Sequence, residues 1–219
     1  MQNDDHTFRE PKQERSRQSF DKAVEAAVVL TVERRSDAWT LAEVARRAGV
    51  STGSIYGRVD SKDHLIHMAQ AREMERIRAA QQHAFGAPVP PGETFRDAVT
   101  RVISTLAEVL RTEAPVLAPF MLIAGRDRVV AEEGKRGFEE LVRFFCAGLL
   151  ARRYDIRHPE PERAVSWSFT VVYSVLARWL GLGSDPEAAG EGDWGRILTD
   201  LSEMVTTFLG GLGGDADAG

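Results

Sequence analysis

At 219 residues with 43% hydrophobic content, the chain can bury a sizeable core and form two domains. Its single cysteine, Cys146, excludes an internal disulfide and points to a reducing cytoplasmic setting. No apolar run approaches the roughly 18 residues of a membrane helix, and the polar start MQNDDHTFREPKQ does not read as a signal peptide.

The formal net charge of −5 divides unevenly. Residues 1–78 carry 14 Lys+Arg against 13 Asp+Glu, whereas residues 79–219 carry 14 against 20. The acidic excess belongs to the second part. Residues 1–14 mix charges with Pro11 without periodicity and are expected to be a disordered arm. From Arg17 to Arg35, the spacing of Phe20, Val24, Ala27, Val28 and Thr31 predicts one amphipathic helix.

Thr40-x-x-Glu43 has the form of a capping box, with Trp39 and Val44 placed for a hydrophobic staple. A short helix through Leu41, Val44, Ala45 and Ala48 should stop at Gly49, and Ser51 should cap a second helix ending near Val59. Two short helices joined by a tight glycine turn make a helix-turn-helix, whose second helix enters the DNA major groove. On that second helix Thr52, Gly53, Ser54, Tyr56, Gly57 and Arg58 are small, hydroxyl-bearing or basic, while Ile55 and Val59 can pack inward. Such residues allow close approach and hydrogen bonding to base edges or phosphate. Ser61 then caps a third helix beginning at Lys62, and a helix start with a lysine suits a phosphate. Arg46, Arg47, Arg58 and Lys62 give residues 40–62 a local basic face against Glu43 and Asp60.

Between about Arg17 and Ile66, the pattern T-L-x-x-V-A-x-x-A-G-V-S-x-G-x-I-Y followed by S-K-x-x-L-I closely resembles the DNA-binding domain of the tetracycline-repressor (TetR) family. The resemblance implies an all-α chain with a helix-turn-helix domain (15–64, motif 40–59) and a helical ligand-binding and dimerisation domain (65–210). DNA-binding residues are expected at Thr40, Ser51, Thr52, Gly53, Ser54, Tyr56, Arg58 and Lys62. Departures from the family stand at Arg34-Arg35-Ser36-Asp37, where relatives usually have a glycine, and at Gly57, Arg58 and Val59, where they usually have an aromatic, His and Phe. Operator preference therefore does not carry over. The basic residues Arg9, Lys12, Arg15 and Arg17 make the arm either a flexible terminus or a DNA-backbone contact.

Beyond Lys62, one long helix carries Leu65, Ile66, Ala69, Met74, Ile77 and Ala80 and ends near Gly86. Residues 87–92, APVPPG, form a turn. Core helices follow at 95–110, at 117–124 beyond Pro115, at 129–154 with Gly134 and Gly137 weakening its start, and at 161–180. Asp193 caps a last helix, and the tail 211–219 is expected to be disordered. The total is about nine helices and no strand.

No G-x-S-x-G, HExxH or Cys–His pair specifies an enzyme, and His64 and His67 lack the further ligands of a metal site, so neither cofactor nor metal is expected. The reading is a ligand-responsive transcriptional repressor, binding a palindromic operator as a homodimer and released by a small apolar molecule. The alternative is an all-α enzyme or carrier in which residues 40–62 are a structural hairpin. Ligand-binding candidates are Phe120, Met121, Arg143, Phe144, Trp167 and Tyr173, large side chains with polar handles. Dimer-seam candidates are Phe169, Val172, Leu176, Ile197, Leu201, Val205 and Phe208.

Overall fold

The computed structural model describes residues 12–183 and 189–210, with side chains from Ser16 onward. The described residues form eight α helices, one 3-10 turn and no strand. They are α1 (Lys12–Arg34), α2 (Leu41–Ala48), α3 (Thr52–Tyr56), α4 (Lys62–Phe85), α5 (Phe95–Ala124), α6 (Arg128–Leu150), α7 (Pro161–Trp179) and α8 (Trp194–Gly210). No helix among them is long and apolar enough to cross a membrane. The chain divides into two compact units, the first ending at Arg72 and the second beginning at Glu73. That division falls further along α4 than the expected 64/65. Helix α1 starts five residues before the expected Arg17, so 12–14 is helical; the rest of the expected arm and the tail 211–219 lie outside the described residues.

In the first unit, α1 packs against α2 and α3. Its Phe20, Val24, Ala27, Val28 and Thr31 are all buried, as the spacing predicts, together with Trp39, Val44, Ile55 and Val59. Gly49 ends α2 at φ 66°, and the amide of Val50 closes the turn on the Ala45 carbonyl at 3.0 Å. That left-handed geometry costs glycine little. Helix α3 ends at Tyr56, three residues short of the expected Val59. Gly57 is a weak helix former, and a turn through Gly57 and Arg58 brings the Val59 amide to the Ile55 carbonyl at 3.1 Å.

In the second unit, α5 packs against α6, α7 and α8 around a core of Val102, Ile103, Leu106, Leu110, Phe145, Leu149, Phe169, Val172 and Leu176. The pieces expected at 95–110 and 117–124 are one helix, with Pro115 and Pro119 inside it. This corrects the expected nine helices to eight among the described residues. An internal proline removes one i→i−4 bond and crowds a carbonyl, at about 3 kcal/mol or more. The buried stripe from Val99 to Leu110 resumes at Phe120 and Ile123, so burial on both sides offsets that cost. The carbonyls that lose their regular amide belong to Arg111 and Pro115, both exposed residues.

The glycines do not break α6. Asp127 caps it by accepting from the amides of Val129 and Val130 at 2.9 and 3.1 Å. A Cβ at Gly137 would lie 3.5 Å from the sulfur of Met74 in α4, an ordinary contact, so packing does not demand glycine there. Helix α6 stops at Leu150, before the expected Tyr154, and a 3-10 turn spans Arg153–Asp155. Two arginines of α4 tie it to its neighbours in this unit. Arg76 forms a two-pronged pair with the buried Glu113 of α5, and Arg78 reaches Glu133 at 2.9 Å and Glu140 at 2.6 Å on α6.

Candidate nucleic-acid interface

The interface begins with how α2 and α3 are capped. The Thr40 hydroxyl accepts from the Glu43 amide at 3.2 Å, while Glu43 Oε2 accepts from the Thr40 amide at 2.8 Å and its hydroxyl at 3.0 Å. Arg34 of α1 adds a bond from Nη2 to Glu43 Oε1 at 2.6 Å and another to the Ala38 carbonyl. The Arg34 bond, then those from Thr40, lower the Glu43 carboxyl to about 2. Thr40, expected to touch DNA, is thus engaged first in holding the start of α2.

Ser51 caps α3 with extended backbone, accepting from the Ser54 amide at 3.1 Å, and its hydroxyl lies 2.7 Å from that of Ser54. Ile55 and Val59 are buried; Gly53, Ser54 and Tyr56 are exposed and Thr52 is half-buried. At 100° per residue, Thr52, Gly53 and Tyr56 share one outward arc of α3. Ser54 stands at its edge with its hydroxyl turned to Ser51.

The cations divide into two kinds. Arg34 and Arg47 are held by carboxylates, Arg47 through paired bonds to Glu33 at 2.7 and 2.6 Å. Arg47 therefore adds little to the expected basic face, because Glu33 lies too far away in sequence to be counted with residues 40–62. Arg46 remains exposed. Arg58 and Lys62 instead lie over rings: the Arg58 guanidinium is 5.7 Å from the centre of Phe20, and the Lys62 ammonium 5.0 Å from the centre of the Trp39 ring. Arg58 also donates to the Ser16 hydroxyl at 3.3 Å. Lys62 donates to the Asp37 carbonyl and stands 3.6 Å from the Asp37 carboxylate. Sequence reading missed these ring seats, which join residues 38 and 23 positions apart.

The candidates in the second unit do not share one environment. Phe120 is buried, whereas Met121 is 37% and Trp167 59% exposed. Arg143 is exposed over Phe144, which stacks on Phe85 with ring centres 5.8 Å apart. Tyr173 packs edge-on to Phe138 at 5.0 Å and stacks with Phe169 at 5.6 Å, and burial pushes its phenol pKa up. Trp167 lines a surface concavity of about 320 Å³ with His158, Arg163, Ala164 and Phe208, none of them among the other five. The expected grouping is corrected on this point: the buried row of α7 passes through Val165, Ser168 and Phe169, which turns Trp167 outward.

The seam candidates also need correction. Phe169, Val172, Leu176, Leu201 and Val205 are buried in the chain's own core; Ile197 is half-buried, and Phe208 is exposed. The most apolar stripe of each helix goes to its own core, so a seam must use the next stripe. On α7 and α8 the exposed apolar residues are Trp167, Val175, Met204 and Phe208.

Residues 23–69 match the model of the family described as bacterial regulatory proteins, tetR family. Among solved structures, the chain is similar to FadR from Bacillus subtilis, crystallised with stearoyl-CoA (14% identity, TM-score 0.61, 86% of this chain and 98% of that one). A TetR transcription regulator from Haloarcula marismortui matches at 14% identity and TM-score 0.61, over 89% and 97% of the two chains. GusR of Salmonella enterica matches at 18% identity and TM-score 0.59, over 92% and 98%. No curated protein matches. The fold is that of TetR-family transcriptional regulators, and the helix-turn-helix of its first unit lies within the residues that match the tetR family model.

Proposed function

We propose that this chain, a tetR-type helix-turn-helix on a TetR-regulator fold, is a ligand-responsive repressor that binds a palindromic operator as a homodimer. The observation that carries the reading is the two-sidedness of α3. Ile55 and Val59 are buried beneath it, while Thr52, Gly53 and Tyr56 occupy one outward arc beside the cations Arg58 and Lys62. Small and hydroxyl-bearing groups outside, with positive charge at the rim, is what base readout flanked by phosphate contacts requires.

Dimerisation is assigned to the exposed faces of α7 and α8 through Trp167, Met204 and Phe208. A large exposed apolar surface marks an interaction site, and a two-fold pair matches two half-sites. The effector is a small, largely apolar molecule taken by the second unit, which holds the acidic excess and many of the large apolar side chains. Reversing a 99:1 preference for the DNA-binding form requires it to favour the released form by about 5.5 kcal/mol. FadR's complex with an acyl-CoA makes long acyl compounds one class for the screen.

The test is selection of bound fragments from genomic DNA, followed by titration of the recovered duplex at several salt concentrations. Recovery of a palindromic site with steep salt dependence is expected. Binding that ignores both sequence and salt would leave residues 40–62 as a structural hairpin.

A further inference from the structure

We infer that Phe20 and Trp39 are positioning residues for DNA binding, seating Arg58 and Lys62 so that each meets a backbone phosphate already ordered. The inference rests on the DNA-binding reading above. The two cations follow α3 in sequence, one just beyond its end and one at the start of α4. Each lies over the face of a buried ring, at 5.7 and 5.0 Å from its centre. Phe20 is 6% exposed within α1, and Trp39 is 2% exposed. The Trp39 ring is fixed in turn, because its Nε1 donates to the Thr31 hydroxyl at 2.9 Å and that hydroxyl donates to the Ala27 carbonyl at 2.8 Å.

What separates these cations from Arg34 and Arg47 is what holds them. A two-pronged carboxylate cancels the charge and occupies the donors, as Glu43 and Glu33 do. A ring attracts a cation through its quadrupole and consumes no N–H. A guanidinium has five donors and an ammonium three, so the single bonds to Ser16 and to the Asp37 carbonyl leave others for a phosphate. The Asp37 carboxylate, 3.6 Å from Lys62, offsets that charge less than the 2.6 Å pairs of Arg34 and Arg47 offset theirs. A long side chain normally surrenders its rotamer freedom when it grips a phosphate. Here part of that ordering is completed on folding, which raises affinity without adding a contact.

The test is a double-mutant cycle on a 30-bp duplex of random sequence, since phosphate contacts are independent of sequence. Phe20→Leu should weaken binding about five-fold while leaving the salt slope unchanged, because Arg58 still reaches its phosphate. In an Arg58→Ala background the same substitution should have no further effect, and Phe20→Tyr, which keeps a ring face, should restore affinity. Trp39→Phe should likewise retain more affinity than Trp39→Leu, and only while Lys62 is present. Ser16→Ala, an exposed change that leaves the core intact, should couple to Arg58→Ala in the same way. Equal losses in both backgrounds would make the rings merely structural and overturn the inference. If the unaltered protein shows no salt-dependent duplex binding, the DNA-binding reading falls and takes this inference with it.

Discussion

Arg34 at the end of α1 grips Glu43 in the first turn of α2, Nη2 to Oε1 at 2.6 Å. This contact locks a capping box from outside, because the same carboxylate also holds the Thr40 amide and hydroxyl. Glu43 falls to about 2 in the folded chain against an ordinary value of 4.5. A folded pKa below the unfolded one gives stability that is full above the unfolded value and lost as pH falls toward the folded value. Thermal melts should therefore show unaltered protein above Glu43→Gln at pH 7, with the gap closing between about pH 4.5 and 2. A gap that widens in acid would refute the assignment.

The residues on the outward arc of α3 and those at its rim should behave differently toward DNA. Thr52→Ala and Tyr56→Phe are expected to change preference at particular base pairs, by about 1–3 kcal/mol where a good base contact is lost. Lys62→Ala should weaken all sequences alike and lower the salt slope by about 1. Titrations of the selected site and of single-base variants separate the two patterns; identical effects everywhere would dissolve the division.

Exposed and buried positions on α7 and α8 give opposite outcomes for the same chemistry. Trp167→Glu combined with Phe208→Glu should yield a folded monomer with weak operator affinity, read by sedimentation and circular dichroism. Leu201→Glu, at a 6% exposed core position, should instead unfold the second unit, at a cost above about 3 kcal/mol. Should the double variant still sediment as a dimer, the seam lies elsewhere.

The Arg76–Glu113 pair makes a prediction about stability alone. Glu113 is 4% exposed and Arg76 about half-exposed, so Arg76→Ala leaves a buried carboxylate with less solvent relief than its partner had. Denaturant unfolding should show a loss of about 2 kcal/mol, below the 3–5 of a fully buried pair. Adding Glu113→Leu should recover most of it. Failure of that second change to rescue would mean that the carboxylate is not the source of the loss.

What was legible from sequence was local. The caps at Thr40 and Ser51, the stop at Gly49 and the buried row Phe20–Thr31 all depend on residues within a few positions of one another. Pro115 misled because a proline's cost is local, whereas the burial that overrides it comes from other helices. The seam candidates misled for a related reason: periodicity identifies an apolar stripe but not whether its partner is the same chain. Arg35 is an intermediate case. The missing glycine was visible in Arg34-Arg35-Ser36-Asp37, but only the structure puts the left-handed residue at Arg35, φ 50°. Arg35→Gly should raise stability by about 0.5–1 kcal/mol, since non-glycine residues strain there, and a drop in melting temperature would show that the arginine makes a compensating contact.

The carboxylates around the motif also bear on how such a protein would search a genome. Arg34, Arg47 and, in part, Lys62 spend charge on Glu43, Glu33 and Asp37 rather than offering it to solvent. Non-specific affinity for DNA comes almost wholly from released counterions, and each cation neutralised internally removes about one from that total. Bulk chromosome is a vast competitor, so a shallow grip on random sequence leaves more protein free to find its few true sites. Sparing use of free positive charge thus limits how much of the protein bulk chromosome holds, while the choice among base pairs stays with the outward arc of α3.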